Sequence, residues 1–135
     1  MPGNRAPSAH PEPQPPQAPP PKVLHALDAS LTLLSPVADI SELTAHATAA
    51  VQAGQGNVLD ASHVIFPNGA ITLVLILAES HLSIHTWPEE NLIAIDLFSC
   101  GNIDGPKVIS ELVRLLRLEG VSVRQLARGT EAGRG

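Results

Sequence analysis

Residues 71–78 read Ile-Thr-Leu-Val-Leu-Ile-Leu-Ala, an almost unbroken apolar run with several β-branched side chains. Pro67-Asn68-Gly69 stands just before it, a strong turn signal because Asn and Gly accept positive φ at little cost. The run is far shorter than the roughly 18 residues of a membrane span. It fits a central strand covered on one or both faces. The strand pattern continues past it, so the sequence predicts one long strand over Ala70–His85, broken by Trp87-Pro88. Such a strand needs neighbours and a covering layer, and the flanking segments supply both.

Val23 to Leu34 reads as a strand closed by Ser35-Pro36. Asp39 with Glu42 forms a capping box, and Ile40, Leu43, Ala47, Ala50 and Val51 follow at helical spacing until Gly54 and Gly56. Val58–Phe66 and Leu92–Cys100 read as strands. Gly101–Gly105 is a loop, and Pro106 sits where a helix begins. Val108, Ile109, Leu112, Val113, Leu115 and Leu116 form that helix's apolar stripe, with Gly120 as its C′ residue and Val121–Ala127 as a last strand. Short turns between the middle strands imply antiparallel pairing. The expected fold is α+β: a two-layer sandwich, an antiparallel sheet with two helices on one face.

Nine of the thirteen prolines lie in the first 21 positions. Residues 1–22 therefore read as a disordered Pro-rich tail, residues 23–128 as the domain, and residues 129–135 as a flexible C-terminus. A domain of that size buries roughly two-thirds of its unfolded surface, enough for one core. A single cysteine excludes a disulfide scaffold or a four-cysteine zinc site. The N-terminus lacks the apolar segment of a signal peptide, so the expected compartment is the cytoplasm. The formal net charge is −5, and no Lys or Arg occurs between Val23 and Pro106, against nine acidic residues. Nucleic acid and acidic membranes are poor partners for that balance, whereas a small cationic substrate suits it. A purely solubilising role for the acidity is the simpler explanation.

Polar residues concentrate in Glu79-Ser80-His81-Leu82-Ser83-Ile84-His85-Thr86-Trp87-Pro88-Glu89, directly after the apolar run. On a core edge these groups need partners, although a strand end rising into solvent would also carry them. His81, His85 and Glu79 resemble a ligand set, but on a strand the two histidines stand about 13 Å apart, too far for one ion. No metal is therefore expected. Ser80 or Ser83 beside a histidine offers a nucleophile without the G-x-S-x-G elbow of a hydrolase. Cys100 with His85 offers a thiol catalyst, although a lone cysteine is more often a small buried residue.

The run LAESHLSIHTWPE, followed by AIDLFSCG, closely resembles the prokaryotic S-adenosylmethionine decarboxylase family, pyruvoyl enzymes made as proenzymes. The matching block spans about Phe66–Gly101: Glu-Ser, a histidine five residues after the serine, Trp-Pro-Glu, and a cysteine twenty residues after the serine. The resemblance implies self-cleavage between Glu79 and Ser80. The Ser80 hydroxyl would attack the preceding carbonyl, and β-elimination then hydrolysis would leave a pyruvoyl group at the new N-terminus. That group would take the substrate amine as a Schiff base and accept the electrons released with CO2. His85 matches the proton donor of processing, and Cys100 the acid that protonates carbon during catalysis. Glu89 matches the residue that binds the ribose hydroxyls, and Phe66 the aromatic that stacks on adenine. Thr72 falls where the family carries a serine that supports processing. Trp87 is read as packing and His81 as a structural group. The family habit further implies a homodimer with sites at the shared interface and a role in spermidine synthesis.

Outside the block the chain departs from the family. Gly69-Ala70-Ile71-Thr72-Leu73 replaces a glycine-valine-serine-glycine-like stretch, and the first strand, VLHALDASLTLL, has no aromatic residue. A purine wants two flat partners, and the sequence offers only Phe66. Two alternatives therefore stand beside the main reading: a pyruvoyl-dependent ornithine or arginine decarboxylase on the same scaffold, and a non-catalytic regulatory homologue. Strict alternation also puts Ser80 and His85 on opposite faces of a strand, so a bend or bulge around Ser80 is expected.

Overall fold

The computed structural model describes residues 21–129. The order is β1 (Lys22–Ser30), α1 (Ile40–Ala53), β2 (Val58–Ile65), β3 (Ile71–Leu77), β4 (Ser80–Trp87), β5 (Leu92–Cys100), α2 (Gly105–Leu116) and β6 (Glu119–Arg128), with a short 3-10 turn at Pro88–Glu90. The strands form one six-stranded antiparallel sheet in the order β2-β3-β4-β5-β1-β6. The helices pack on each other and on one face of the sheet, giving the expected α+β sandwich. The two predicted terminal segments lie outside the described residues, apart from their inner ends. Of those, Lys22 already belongs to β1.

Alternation along the strands builds the core. Leu73, Leu75 and Leu77 of β3, Leu82 and Ile84 of β4, and Ile93, Ile95 and Leu97 of β5 point at the helices and are buried. Leu43, Ala47, Ala50 and Val51 of α1, with Val108, Leu112 and Leu116 of α2, close over them. Among the described residues nothing covers the opposite face of β3, since Val74 is half-buried and Ile76 is 45% exposed. The apolar run therefore belongs to a strand buried on one side only.

The cap read at Asp39 holds: it accepts hydrogen bonds from the Ser41 and Glu42 amides at 2.8 and 3.3 Å. Asp104, which the sequence reading treats as loop, caps α2 by accepting one from the Lys107 amide at 3.1 Å. The C-terminal signal of α2 does not hold: Arg117, at φ 54, is the left-handed cap, while Gly120 lies inside β6. β1 also ends sooner than the sequence implies. The Thr32 amide donates to Ser35 Oγ at 2.8 Å, a local turn that competes with the ladder and leaves Leu33 and Leu34 in solvent.

The largest correction concerns Ala70–His85. It is not one strand but the hairpin β3–β4, reversed by Ala78 and Glu79 between the paired residues Leu77 and Ser80. The bend expected at Ser80 is a complete turn. No Gly, Asn or Pro marks it, and the apolar pattern of β3 passes into the alternation of β4 without a visible break.

His25 is the buried polar side chain of β1, 3% exposed, with Nε2 3.3 Å from Ser99 Oγ and Nδ1 without a partner. Gly105 lies flat against its ring, where a Cβ would collide with Nε2. Burial pushes the His25 pKa below its ordinary value of 6.5, so folding disfavours protonation of the ring. The unfolded chain takes up a proton below that value, so stability should fall as pH drops through 6.5, by up to about 1.4 kcal/mol per pH unit. Denaturant titrations at pH 7.5 and 5.5 should show a smaller pH loss for His25→Gln than for the wild type. Equal losses would remove His25 as the cause.

Candidate active site

The residues singled out by the sequence fall into two groups, one at each end of β4. At the turn end, Ser80 lies on the helix-facing side, 9% exposed. Its hydroxyl donates to the Ala78 carbonyl at 3.3 Å, folding back over the turn that contains Glu79. Glu79 adopts φ 59. The ladder that pairs His81 with Phe98 brings the end of β5, and hence Cys100, level with Glu79. Cys100 and Glu79 line one cavity of about 340 Å³, together with Gln55, Asn57 and Asn102. Positive φ at Gly101 turns the chain away immediately after the thiol.

At the far end, Thr72 pairs with His85 on the uncovered face, and Thr72 Oγ1 lies 3.1 Å from His85 Nδ1. That contact fixes the imidazole plane and leaves Nε2 free to work. Phe66, Asn68, Thr72, His85 and Trp87 line a cleft of about 380 Å³. Glu89, in the turn after β4, is held against this cleft by Asn68, whose Nδ2 donates to Glu89 Oε1 at 2.7 Å.

Two residues here were missed in the sequence. Trp87 is not packing: it is 42% exposed, its ring centroid is 6.2 Å from that of His85, and it shares the cleft with Phe66, itself 46% exposed. The signal available was its place at the end of an alternating strand, on the same face as His85. Asn68, a turn former by sequence, also holds Glu89 through its side-chain amide. His81 is exposed and tilts over Phe98 at 5.8 Å, away from both groups. Among the described residues no three His, Cys, Asp or Glu side chains are grouped to hold a metal ion, and no helix is long and apolar enough to cross a membrane.

The two groups do not meet within one chain. Ser80 and His85 lie on opposite faces and about 16 Å apart along the strand. The uncovered face carries His85 at one end and, by the alternation of β5, Cys100 at the other. It presents Ile76, Trp87, Val64 and Leu126, each at least 42% exposed, with Val74, Ala94 and Phe98 half-buried between them.

Comparison with known proteins places this two-layer α+β sandwich among the small carboxy-lyases made as proenzymes. The profile of the S-adenosylmethionine decarboxylase family matches residues 26–129, and the chain belongs to that family. It is 37% identical over 92 residues to S-adenosylmethionine decarboxylase proenzyme 2 of Bacillus cereus, covering 67% of this chain and 75% of the relative. It is 40% identical over 82 residues to the S-adenosylmethionine decarboxylase proenzyme of Thermosipho melanesiensis, covering 60% and 62% of the two chains. The crystal structure of the adenosylmethionine decarboxylase from Aquifex aeolicus VF5 superposes with a TM-score of 0.68 at 25% identity, covering 84% of this chain and 94% of that one.

Proposed function

We propose that the chain cuts itself between Glu79 and Ser80 and then decarboxylates S-adenosylmethionine, the product serving spermidine synthesis. The cut begins at the Ser80 hydroxyl, which lies over the turn with its oxygen bonded to Ala78. Attack of Oγ on the Glu79 carbonyl carbon forms an ester as the C–N bond breaks, and the hydroxyl proton passes to the released nitrogen. β-Elimination frees the Glu79 carboxylate, and hydrolysis of the remaining dehydroalanine releases ammonia. The cavity beside Glu79 and Cys100 has room for the group so formed. A pyruvoyl ketone supplies the electron sink for decarboxylation.

The remaining work falls to side chains. Cys100 holds a proton at the cavity wall and delivers it to carbon. Glu89 offers two acceptor oxygens to vicinal hydroxyls and a negative charge to a cationic substrate. His85, oriented by Thr72, moves the proton of processing. For His85 to act on Ser80, two copies must pack their uncovered faces about a two-fold axis that crosses the strands. The Ser80–Cys100 end of one copy then meets the Thr72–His85 end of the other, twice per dimer. The exposed apolar residues of that face are the surface such a dimer would bury.

The single observation that favours S-adenosylmethionine over ornithine or arginine is the pair of half-exposed aromatic rings, Phe66 and Trp87, in one cleft beside Glu89. A purine uses two flat partners and a ribose uses the carboxylate, whereas a linear basic amino acid uses neither ring. The test has two stages. Intact mass under denaturing conditions should show residues 1–79 and a pyruvoyl-blocked 80–135. Carboxyl-labelled S-adenosylmethionine, ornithine and arginine, offered separately, should release CO2 from the first alone. Release from a basic amino acid instead would transfer the assignment to the other substrate class, and an uncut, inert chain would favour the non-catalytic reading.

A further inference from the structure

Building on the self-cleavage proposed above, we infer that the left-handed backbone of Glu79 is a built-in strain that speeds the cut. Four non-glycine residues among those described have positive φ: Gln55, Glu79, Asn91 and Arg117. Three of them end helical segments, where their amides donate back into the preceding turn, to Gln52, Pro88 and Arg114 respectively. Such bonds offset the steric cost of the left-handed region. Glu79 has no helix behind it. It is the second residue of a two-residue hairpin turn, a place that favours glycine or asparagine.

The turn is unfavourable in a second way. Two-residue hairpin turns normally put positive φ at their first central residue, so that their twist matches the strands. Here Ala78, the first, is not among the positive-φ residues, and only Glu79 is. The neighbouring β2–β3 connection shows the ordinary solution, since Gly69 occupies its φ 88 position. The strained residue is therefore the one whose carbonyl is to be attacked.

The reaction itself relieves the strain. Before the shift, Glu79 C reaches Ser80 Cα through the nitrogen alone, by two bonds. Afterwards it does so through Oγ and Cβ, by three. The lengthened path loosens the turn, and Glu79 can leave the left-handed region. Part of the stored energy is then released in the transition state, which lowers the barrier. The Ser80–Ala78 hydrogen bond keeps the hydroxyl over the turn, so the strain is released along the productive route.

The experiment pairs substitutions of like chemistry and unlike turn preference: Glu79→Ala against Glu79→Gly, and Glu79→Gln against Glu79→Asn. First-order cleavage of freshly folded proenzyme is followed by intact mass. The same four are placed on a Ser80→Ala background, which cannot cut, and their melting temperatures are measured. The inference expects Gly and Asn to raise the melting temperature of the uncut chain and yet to cleave roughly two- to fivefold more slowly than Ala and Gln. A turn with a purely structural role would move stability and cleavage in the same direction. Gly and Asn variants that cut as fast as their partners, or faster, would overturn the inference while leaving self-cleavage intact. A wild-type chain that never cuts at Glu79–Ser80 would overturn the parent reading and this one with it.

Discussion

Co-expressed Ser80→Ala and His85→Ala chains should recover activity that neither shows alone. Ser80→Ala removes the attacking oxygen and should leave one uncut polypeptide. His85→Ala should block or strongly slow the cut. In the proposed face-to-face dimer, each site would take Ser80 and Cys100 from one copy and His85 and Thr72 from the other. A mixed dimer then has one site with both lesions and one with none. Random pairing makes half of the dimers mixed, so roughly a quarter of wild-type sites should mature and turn over. Two tags, purified in tandem, would isolate the mixed species and raise that share to half. Mixed dimers as inert as either parent would rule out sharing, and would require Ser80 and His85 to be joined within one chain across a strand that holds them on opposite faces.

Cys100→Ala should separate maturation from turnover. The thiol shares a cavity with Glu79, while the Ser80 hydroxyl is bonded to the Ala78 carbonyl, and the proposed acyl shift asks nothing of the thiol. Two fragments of the expected masses should therefore appear. Turnover should fall by about 10²–10⁴-fold, the usual contribution of a positioned acid. The loss should fall on kcat rather than KM, because on the proposed reading Phe66, Trp87 and Glu89 would hold the substrate at the opposite end of the site. Cys100→Ser keeps the size but offers a far weaker acid, and should stay close to the alanine variant. Full turnover in processed Cys100→Ala would remove this residue from the chemistry.

The fold was legible where side chains report directly on the backbone. Asp39 caps its helix as its position implies, and periodicity identifies the buried leucines of both helices. It was illegible where the backbone departs from residue preference. A hairpin turn made of Ala78 and Glu79, and a helix end made of Arg117, contain no residue that favours positive φ. The strain that hid the turn is the same strain that makes it of interest. The site residues were legible as a motif, because Glu-Ser, His, Trp-Pro-Glu and Cys keep fixed spacing. Their distribution was not. A strand separates Ser80 from His85 by its rise and by its alternation, and only the whole uncovered face shows how two copies would reunite them. Trp87 was misread because alternation alone assigns a face without showing whether that face is covered.

The strand order β2-β3-β4-β5-β1-β6 gives the cut a lasting consequence. Residues 1–79 carry β1, β2 and β3, and residues 80–135 carry β4, β5 and β6. The first fragment pairs with the second along β3–β4, and its β1 is also held on both sides, between β5 and β6. The proposed cut would therefore change little in the native sheet, and the fragments would stay threaded through each other. What it changes is the road back. The uncut chain finds this arrangement as a single molecule, whereas separated fragments must meet and insert one strand between two others. Their recovery from denaturant should depend on concentration and lag far behind that of the uncut Ser80→Ala chain. The sheet is thus assembled while its code is still continuous, and is afterwards preserved by kinetics.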